Sequence, residues 1–344
     1  LVLRPDMTPA VARCVAKYFM DDDMPLRLCY LERTFKNNTS YQGYLKERAE
    51  SGAELIGDDS PDADAEMIAM VIDCLKAAGL KEFQVELGEV AFYRSLLQQS
   101  GLDEDAQAQL NDLIENKNRF GVEEFLKNQD MEESLKEAFL KLPELFGGIN
   151  QIKKAKALTD NPQALAAIER LERVHTLLEE YHMADYVSYD LGMLSRYQYY
   201  TGIIFKAYTY GTGDYIITGG RYDKLLVQFG KDTPAVGFVI VVDQLMAALS
   251  RQQIDVPVTL VNTVILYETS ARSRALWLGS YFRDKGLAVQ SMKKKEQVAL
   301  EDYKAMAIQR GMRNVLYLKG DGTVVTAMDT VNGNTDQIPI TAYE

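Results

Sequence analysis

Residues 35 to 57, FKNNTSYQGYLKERAESGAELIG, predict a β-hairpin with an uncharged loop. The residues before this stretch predict a strand over Leu26 to Phe35, and those at its end predict a second strand from about Ala49 to Ile56. The intervening NNTSYQGY is then the hairpin loop, and no charged side chain occurs from Asn37 through Leu45. Because proteins grip phosphate groups with fixed cations and forked donors, we expect this loop to hold a triphosphate poorly.

Four shorter blocks in the first 250 residues complete a pattern. In chain order they are LRPDMT (Leu3 to Thr8), YYTG (Tyr199 to Gly202), GGRYD (Gly219 to Asp223) and AVGF (Ala235 to Phe238). They resemble the LRPEGT block, the histidine-specific signature, the GGRYD block and the opening of motif 3 in histidyl-tRNA synthetases, and residues 35 to 57 align without a gap on motif 2. Four blocks in family order are far more specific than any one of them.

Three positions depart from the synthetase pattern, and each replaces an arginine. Lys36 stands at the motif 2 arginine, Ser195 (beside Arg196) at the leading arginine of the histidine-specific signature, and Gln244 at the motif 3 arginine. Arginine grips two phosphate oxygens through a planar fork, whereas lysine is a mobile point charge and glutamine is neutral. Since loss of one preorganised stabiliser slows a reaction by about 10² to 10³, adenylation should be very slow.

With these substitutions, the chain is similar to the family of ATP phosphoribosyltransferase regulatory subunits, which are synthetase paralogues. The resemblance implies a non-catalytic chain that needs no cofactor or metal. It implies a short-form ATP phosphoribosyltransferase catalytic subunit as partner in the first step of histidine biosynthesis, with allosteric feedback inhibition by L-histidine. It also implies self-association as a synthetase-like dimer within a hetero-oligomer.

Two alternative functions remain open at this point. One is an active histidyl-tRNA synthetase that forms histidyl-adenylate and charges tRNA, which the positive charges of Lys36 and Arg196 favour. The other is a stand-alone histidine-sensing module that uses the same fold with a different partner. Pyrophosphate exchange separates the first alternative from the rest, because only an active synthetase exchanges pyrophosphate with ATP.

The family resemblance also implies the fold. We expect an α+β protein with a class II aminoacyl-tRNA synthetase-like antiparallel sheet core flanked by helices. The core should cover residues 1–250 with a helical insertion at about 92–181, and residues 259–344 should form a small C-terminal α/β domain resembling a reduced anticodon-binding domain. Because the chain begins inside the LRPEGT-like block, we expect an N-terminal portion to precede it in the natural protein.

The motif positions imply a vestigial histidine pocket. Free histidine offers an ammonium group, a carboxylate and an imidazole, so a specific site needs acids for the nitrogens and donors for the carboxylate. By position, Asp6 approaches the amino group, Glu54 lies beside the imidazole, and Glu50 adds a negative charge that Lys36 can neutralise. The predicted pocket residues are Asp6, Thr8, Lys36, Glu50, Glu54, Tyr199, Tyr200 and Tyr222.

Ordinary structural roles are the alternative for the same residues. Glu54 could instead pair with Arg4 or Lys46, and Tyr199 and Tyr222 could simply pack on the sheet. The glycines at 219 and 220 then mark only a bulge or a close approach of strands. These alternatives can be separated only by the positions of the side chains.

Charge and composition narrow the function further. Fifty acidic and 38 basic side chains give a net charge of −12, which makes tRNA an unfavourable partner unless a local basic surface compensates. The run Lys293 to Lys295 is better interpreted as a solvated loop between a strand and a helix. We find no apolar run of membrane-spanning length and no secretory leader, and therefore predict a cytoplasmic protein.

The cysteines and histidines indicate no special chemistry. Cys14, Cys29 and Cys74 are scattered, which predicts buried thiols in a reducing compartment. His175 and His182 lie one heptad apart, and we interpret both as ordinary helix residues rather than metal ligands.

Local patterns place the other elements. Thr8 is predicted to cap a helix that begins with Pro9 and runs to about Met20, with Val15 and Tyr18 near one face. Asp243 is predicted to cap a later helix. Alternating apolar residues predict antiparallel strands, and the C-terminal region alternates strand and helix. The four predicted strands of the core after the insertion are residues 186–191, 202–210, 215–218 and 235–242.

Overall fold

The computed structural model describes residues 2–21, 25–37, 45–194, 199–256 and 261–343. The chain divides into two units, Leu1–Val256 and Pro257–Glu344. Most of the predicted hairpin loop, together with Ser195 and Arg196, lies outside the described residues. None of the helices in the described ranges is both long and apolar enough to cross a membrane.

The first unit contains a sheet whose strand order is β1-β2-β8-β7-β6-β3-β5-β4. The predicted hairpin strands are present and pair antiparallel with Tyr30 opposite Gly52. The eight strands are β1 (Leu26–Phe35), β2 (Glu47–Ile56), β3 (Phe83–Glu89), β4 (Phe146–Gly147), β5 (Val187–Asp190), β6 (Ile203–Thr209), β7 (Ile217–Arg221) and β8 (Ala235–Val241).

Helices cover one face of this sheet. Three of them, α2, α3 and α8, bury apolar stripes in the largest hydrophobic core, whose burial is the main stabilising contribution. The predicted helical insertion is confirmed and contains six helices. The helices of this unit are α1 (Thr8–Tyr18), α2 (Pro61–Ala77), α3 (Val90–Ser100), α4 (Glu104–Glu115), α5 (Arg119–Lys127), α6 (Glu133–Lys141), α7 (Asn150–Lys156), α8 (Pro162–Glu180) and α9 (Val242–Arg251).

The register aligns side chains in rows across the opposite face of the sheet. Because side chains alternate between faces along a strand, residues paired across neighbouring strands point to the same side. One such row is Tyr30, Gly52, Val239, Thr218, Lys206 and Glu86. The next row contains Glu54, Gly237, Gly220 and Ile204. These rows form the floor of the candidate site.

The second unit has its own five-stranded sheet with the order β10-β9-β11-β12-β13. Strands β10, β9 and β11 are parallel, whereas β12 and β13 are antiparallel to their neighbours. The alternation of strand and helix was predicted, but strand β13 was missed. The elements are β9 (Thr263–Tyr267), α10 (Arg272–Asp284), β10 (Val289–Lys293), α11 (Leu300–Gln309), β11 (Asn314–Leu318), β12 (Val324–Asp329) and β13 (Thr335–Pro339).

Two predicted helix caps are wrong because tertiary partners take the side chains. Thr8 lies inside α1, which starts after Met7 without a side-chain cap, and the Thr8 hydroxyl instead donates to Glu54 Oε1 at 3.0 Å. Asp243 lies in the first turn of α9, and its Oδ2 accepts a hydrogen bond from the backbone N–H of Ala49 at 2.8 Å. Thr8 therefore links α1 to the side chain of Glu54 on β2, and Asp243 links α9 to the backbone of β2.

Four further expectations also need correction. Strand β5 is parallel to β3 rather than antiparallel, because the whole helical insertion connects the two. Cys14 and Cys29 are exposed and free, since they lie on outward faces of α1 and β1, while Cys74 is half-buried. Tyr18 is 68% exposed, because α1 buries Ala12, Val15 and Ala16. His182 follows α8 in a left-handed conformation with φ of 58°.

Candidate ligand-binding site

The open face of the sheet carries a cleft that brings seven of the eight predicted pocket residues together. Asp6, Thr8, Lys36, Glu50, Tyr199, Tyr200 and Tyr222 all line its inner part. They come from the segment before α1, from α1 itself, from the end of β1, from β2, from the segment before β6 and from the position after β7. Their convergence follows from the strand register, because β2, β8 and β7 are adjacent in the sheet.

The eighth predicted residue, Glu54, lies beneath the cleft surface. Its side chain accepts hydrogen bonds from the Thr8 hydroxyl at 3.0 Å and from the Tyr222 hydroxyl at 2.5 Å. Glu54 is only 2% exposed, and it pairs with neither Arg4, which contacts Glu32, nor Lys46. In this structure it therefore orients two pocket residues and lies behind them.

Burial changes the acidity of Glu54. Desolvation raises the pKa of its carboxyl to about 8, and the nearby charge of Asp6 acts in the same direction, while the bonds from Tyr222 and Thr8 act against it. A carboxyl with that pKa is mostly protonated at neutral pH. A cationic ligand would favour its ionised form.

Asp6 is the half-exposed acid of the inner pocket. Its Oδ1 accepts the backbone N–H of Thr8 at 3.0 Å, and its Oδ2 accepts the hydroxyl of Tyr199 at 2.8 Å. These two bonds fix the carboxylate at the mouth of the pocket while leaving lone pairs directed at the cleft. This arrangement suits an ammonium group.

Glu50 forms a second acidic wall and is 5% exposed. Desolvation raises the pKa of its carboxyl, whereas the positive charges of Lys36 and Arg48 lower it. The charge of Lys36 therefore acts on Glu50 in the expected direction, but burial outweighs it and the pKa stays raised. Arg48 was missed in the sequence, although it precedes Glu50 by two residues on the same face of β2.

Glycines make room for these side chains. A Cβ at Gly237 would lie 1.6 Å from Glu54 Oε2, and one at Gly52 would lie 2.3 Å from the Tyr30 ring. A Cβ at Gly220 would meet Tyr200 Cδ1 at 2.9 Å. The two glycines of the GGRYD block are thus places of close approach, as the structural alternative proposed, and they also shape the pocket.

Tyr30, which the motif comparison did not reveal, lies close to the acids of the pocket, although it is not among the residues that line the cleft. Burial raises the pKa of its hydroxyl, with further contributions from the charges of Glu54, Asp6 and Glu50. The signal in the sequence was its pairing with Gly52, because a tyrosine opposite a glycine can lay its ring across the neighbouring strand.

The cleft has a narrow inner part and a wide outer part. The inner cavity volume is about 20 Å³, enough for about one water molecule. The outer cleft has a volume of about 1040 Å³ and shares Asp6, Lys36 and Tyr200 with the inner part. Two cations and one tyrosine line only the outer part, namely Arg48, Lys206 and Tyr208, and Tyr215 lines both parts. Sequence reasoning missed all four.

The arginine of the GGRYD block points away from the cleft. Arg221 is 2% exposed, and its Nε donates to Asp64 Oδ1 at 2.8 Å. Arg170 of α8 binds the other oxygen of Asp64 at 2.7 Å. Arg221 Nη1 also donates to Asp223 Oδ1 at 3.0 Å. This cluster links β7 to α2 and α8. Because its donors are engaged there, Arg221 does not reach into the cleft to bind a phosphate.

Comparison with known proteins agrees with this architecture. A family model described as histidyl-tRNA synthetase matches residues 1–245. An ATP phosphoribosyltransferase regulatory subunit from Acetivibrio thermocellus is 36% identical over 332 residues, which cover 96% of this chain and 77% of that protein. This chain belongs to the ATP phosphoribosyltransferase regulatory subunit family.

Other members of the regulatory subunit family and related structures are also similar. The regulatory subunit of Ruminiclostridium cellulolyticum is 35% identical, covering 98% of this chain and 80% of that protein. A solved structure from Bacillus halodurans, named as an ATP phosphoribosyltransferase regulatory subunit/histidyl-tRNA synthetase, is 31% identical with a TM-score of 0.76, covering 92% of this chain and 79% of that one.

A histidyl-tRNA synthetase from Nostoc shares the fold alone. It is 19% identical with a TM-score of 0.76, covering 99% of this chain and 82% of the Nostoc chain. The synthetase-like fold expected for the regulatory subunit family is thereby confirmed.

Proposed function

We propose that this chain is the non-catalytic regulatory subunit of ATP phosphoribosyltransferase and that L-histidine binds in the cleft as its feedback effector. Family membership carries the first part, because the similar proteins bear this name over most of their length. The catalytic partner would be a short-form ATP phosphoribosyltransferase subunit, and the chain would self-associate as a synthetase-like dimer in the hetero-oligomer.

The acidic inner pocket supports the effector. Asp6 and Glu50 present carboxyl groups to the cleft, and Tyr199 and Tyr222 add hydroxyl groups and ring faces. An ammonium group and an imidazole N–H find acceptors there. Glu54 supports Thr8 and Tyr222 from below. The wall of the proposed histidine site consists of Asp6, Thr8, Lys36, Glu50, Tyr199, Tyr200 and Tyr222.

The replaced arginines argue against adenylation by this chain. Lys36 and Gln244 replace two arginines that the synthetase pattern places around the phosphates, and the acids nearest Lys36 would repel a triphosphate. Feedback then requires that histidine bind one state of the complex more tightly than another.

Reconstitution tests this proposal. The full-length protein is mixed with a short-form catalytic subunit, and formation of phosphoribosyl-ATP is measured with and without L-histidine. We expect the catalytic subunit to need this chain for full activity and the complex to be inhibited by histidine. Equal activity of the catalytic subunit with and without this chain would refute the regulatory assignment.

An active synthetase is the second candidate, because Arg48 supplies a guanidinium to the outer cleft that the motif comparison had not counted. Pyrophosphate exchange with histidine and ATP decides this point. We expect no exchange above that of a heat-denatured sample, and robust exchange would favour the synthetase.

A further inference from the structure

Lys206 is a cation of the cleft whose charge is poorly compensated. It lies on β6, half-buried, between Thr218 of β7 and Glu86 of β3. Its ammonium group lies 5.9 Å from the centroid of the Tyr215 ring. Across the part of the chain that the structure describes, Lys206 forms neither a hydrogen bond nor an ion pair. Burial raises the pKa of the neighbouring Glu86, and the charge of Lys206 acts only weakly against this rise. A partly desolvated ammonium group gains most from a contacting anion.

The size of the cavity determines where the anionic end of a ligand lies. Because the inner cavity volume is only about 20 Å³, an amino acid that reaches Asp6 leaves most of its atoms in the outer cleft. Lys206 forms part of the outer wall, and Thr218 and Tyr215 line both parts. Lys206 thus lies where the two parts of the cleft meet.

The distance across the sheet suits a small zwitterion. In the strand register, Glu54 of β2 lies opposite Gly237 of β8, which lies opposite Gly220 of β7. Gly220 in turn lies opposite Ile204 of β6, two residues before Lys206. Three strand spacings separate β2 from β6, which is about 14 Å between backbones. Asp6 is connected to the β2 end of this row, because its Oδ1 accepts the N–H of Thr8 and the Thr8 hydroxyl donates to Glu54. A small amino acid and the long side chain of Lys206 together can bridge such a gap.

The other two cations of the described cleft are already engaged. Lys36 and Arg48 both lower the pKa of Glu50, and both make further contacts. A ligand carboxylate near them would also approach the Glu50 carboxyl, which would repel it once ionised. Among the described residues, Lys206 forms no ion pair with Glu86, its neighbour in the row, or with Asp214, which lines the same wall, so its ammonium group can contact a ligand carboxylate.

We infer that Lys206 binds the carboxylate of an α-amino acid whose ammonium group is held by Asp6, with the Thr218 hydroxyl as a neighbouring donor. This assignment rests on the proposed function, since it presupposes that the cleft takes histidine. It makes Lys206 a specificity residue that distinguishes the amino acid from its decarboxylated or reduced relatives.

Calorimetry with two ligands tests the assignment. L-Histidine and L-histidinol share the ammonium group and the imidazole, but histidinol has an alcohol where histidine has the carboxylate. Each is titrated into the full-length wild-type protein and into Lys206→Met, Lys206→Arg and Lys224→Met. Lys224 forms an exposed ion pair with Asp232, so Lys224→Met controls for the loss of one positive charge.

We expect Lys206→Met to weaken histidine binding by about 10- to 100-fold and to leave histidinol binding within about threefold of wild type. Lys206→Arg should retain most of the preference for histidine, and Lys224→Met should behave as wild type. Thermal unfolding of each variant verifies that the fold is retained.

Two results would overturn the inference, and they differ in what else they affect. If wild type binds histidine and Lys206→Met loses no preference for it over histidinol, the inference alone fails. The same holds if Lys36→Met, made in parallel, abolishes that preference. If wild type binds neither compound, the histidine pocket fails together with the inference.

Discussion

The Tyr222 hydroxyl donates a 2.5 Å hydrogen bond to the Glu54 carboxyl, which is 2% exposed. The tyrosine belongs to the GGRYD block and the glutamate to β2, so this bond joins two motifs across strand β8. Burial, followed by the charge of Glu54, raises the pKa of Tyr222 well above its ordinary value. The bond therefore couples two buried groups that both resist ionisation at neutral pH.

Glu54→Gln should change how stability depends on pH. In the folded protein the pKa of Glu54 is about 8, above the ordinary 4.5. The unfolded chain therefore loses its proton first as pH rises, and wild-type stability falls between about pH 4.5 and pH 8 and then levels off. The glutamine variant lacks this contribution, so its free energy of unfolding relative to wild type should rise by up to about 4 kcal/mol across that range.

Urea unfolding at one-unit pH intervals from 5 to 9 measures this difference. Only the difference between the two proteins is informative, because burial also raises the pKa of Glu89 to about 8. Parallel pH profiles for wild type and variant would show that Glu54 is not a neutral buried acid.

Gly237→Ala should destabilise the floor of the cleft, mainly through a clash with Glu54. The new Cβ would lie 1.6 Å from Glu54 Oε2 and 2.9 Å from the carbonyl oxygen of Ala53, and overpacking of this kind costs about 1 to 3 kcal/mol. Gly148→Ala is the matched control, since its Cβ would meet nothing within 4 Å.

A double variant separates the clash from backbone effects. Glu54→Ala removes the carboxyl with which the new Cβ collides. Gly237→Ala should therefore lower the free energy of unfolding less in the Glu54→Ala protein than in wild type. The free energies of unfolding of the four proteins form a cycle, and a coupling energy near zero would contradict the proposed collision.

Much of the fold could be predicted because local patterns and motif order agree. Strand β1 was predicted with its observed bounds, Leu26–Phe35, and the neighbouring β2 differs only in beginning at Glu47. Two strands escaped prediction for different reasons. Strand β4 has only two residues, Phe146–Gly147, and β13, Thr335–Pro339, is largely polar and exposed. Neither carries an apolar alternation to reveal it.

The site was predicted less completely because it depends on pairing between distant strands. Motif positions predicted that Asp6 and Tyr222 would line the cleft, whereas Lys206 reaches the cleft through the register of β6. Thr8 shows the opposite error. A threonine before proline predicts a cap, yet its hydroxyl binds Glu54, 46 residues away in sequence. A local rule cannot anticipate such a partner.

Asp64→Asn should be strongly destabilising, because it leaves two guanidinium groups short of a counter-charge. Asp64 is fully buried and binds both Arg221 and Arg170. Breaking a buried ion pair by removing one partner costs about 3 to 5 kcal/mol. Asp232→Asn, which breaks the exposed pair with Lys224, should cost no more than about 1 kcal/mol. Similar urea midpoints for the two variants would refute a structural role for the Asp64 cluster.

Asp6→Asn should weaken histidine binding by about 10-fold or more, since it removes the half-exposed carboxylate to which the proposed site assigns the ligand's ammonium group. The asparagine oxygen can still accept the bond from Tyr199, but its NH2 group then replaces the oxygen that accepts the N–H of Thr8, so thermal unfolding of this variant is measured alongside binding. Asp214→Asn is the matched control: it removes an equal charge from the outer cleft, and Asp214 does not itself line the inner pocket.

Calorimetry of L-histidine with both variants distinguishes contact from general electrostatics. A direct contact predicts a loss for Asp6→Asn and little change for Asp214→Asn. Equal losses would mean that histidine responds only to the overall negative charge of the cleft. In that case the fixed geometry of Asp6, held by Thr8 and Tyr199, would have no part in recognition, because a charge effect acts without regard to the direction of the lone pairs.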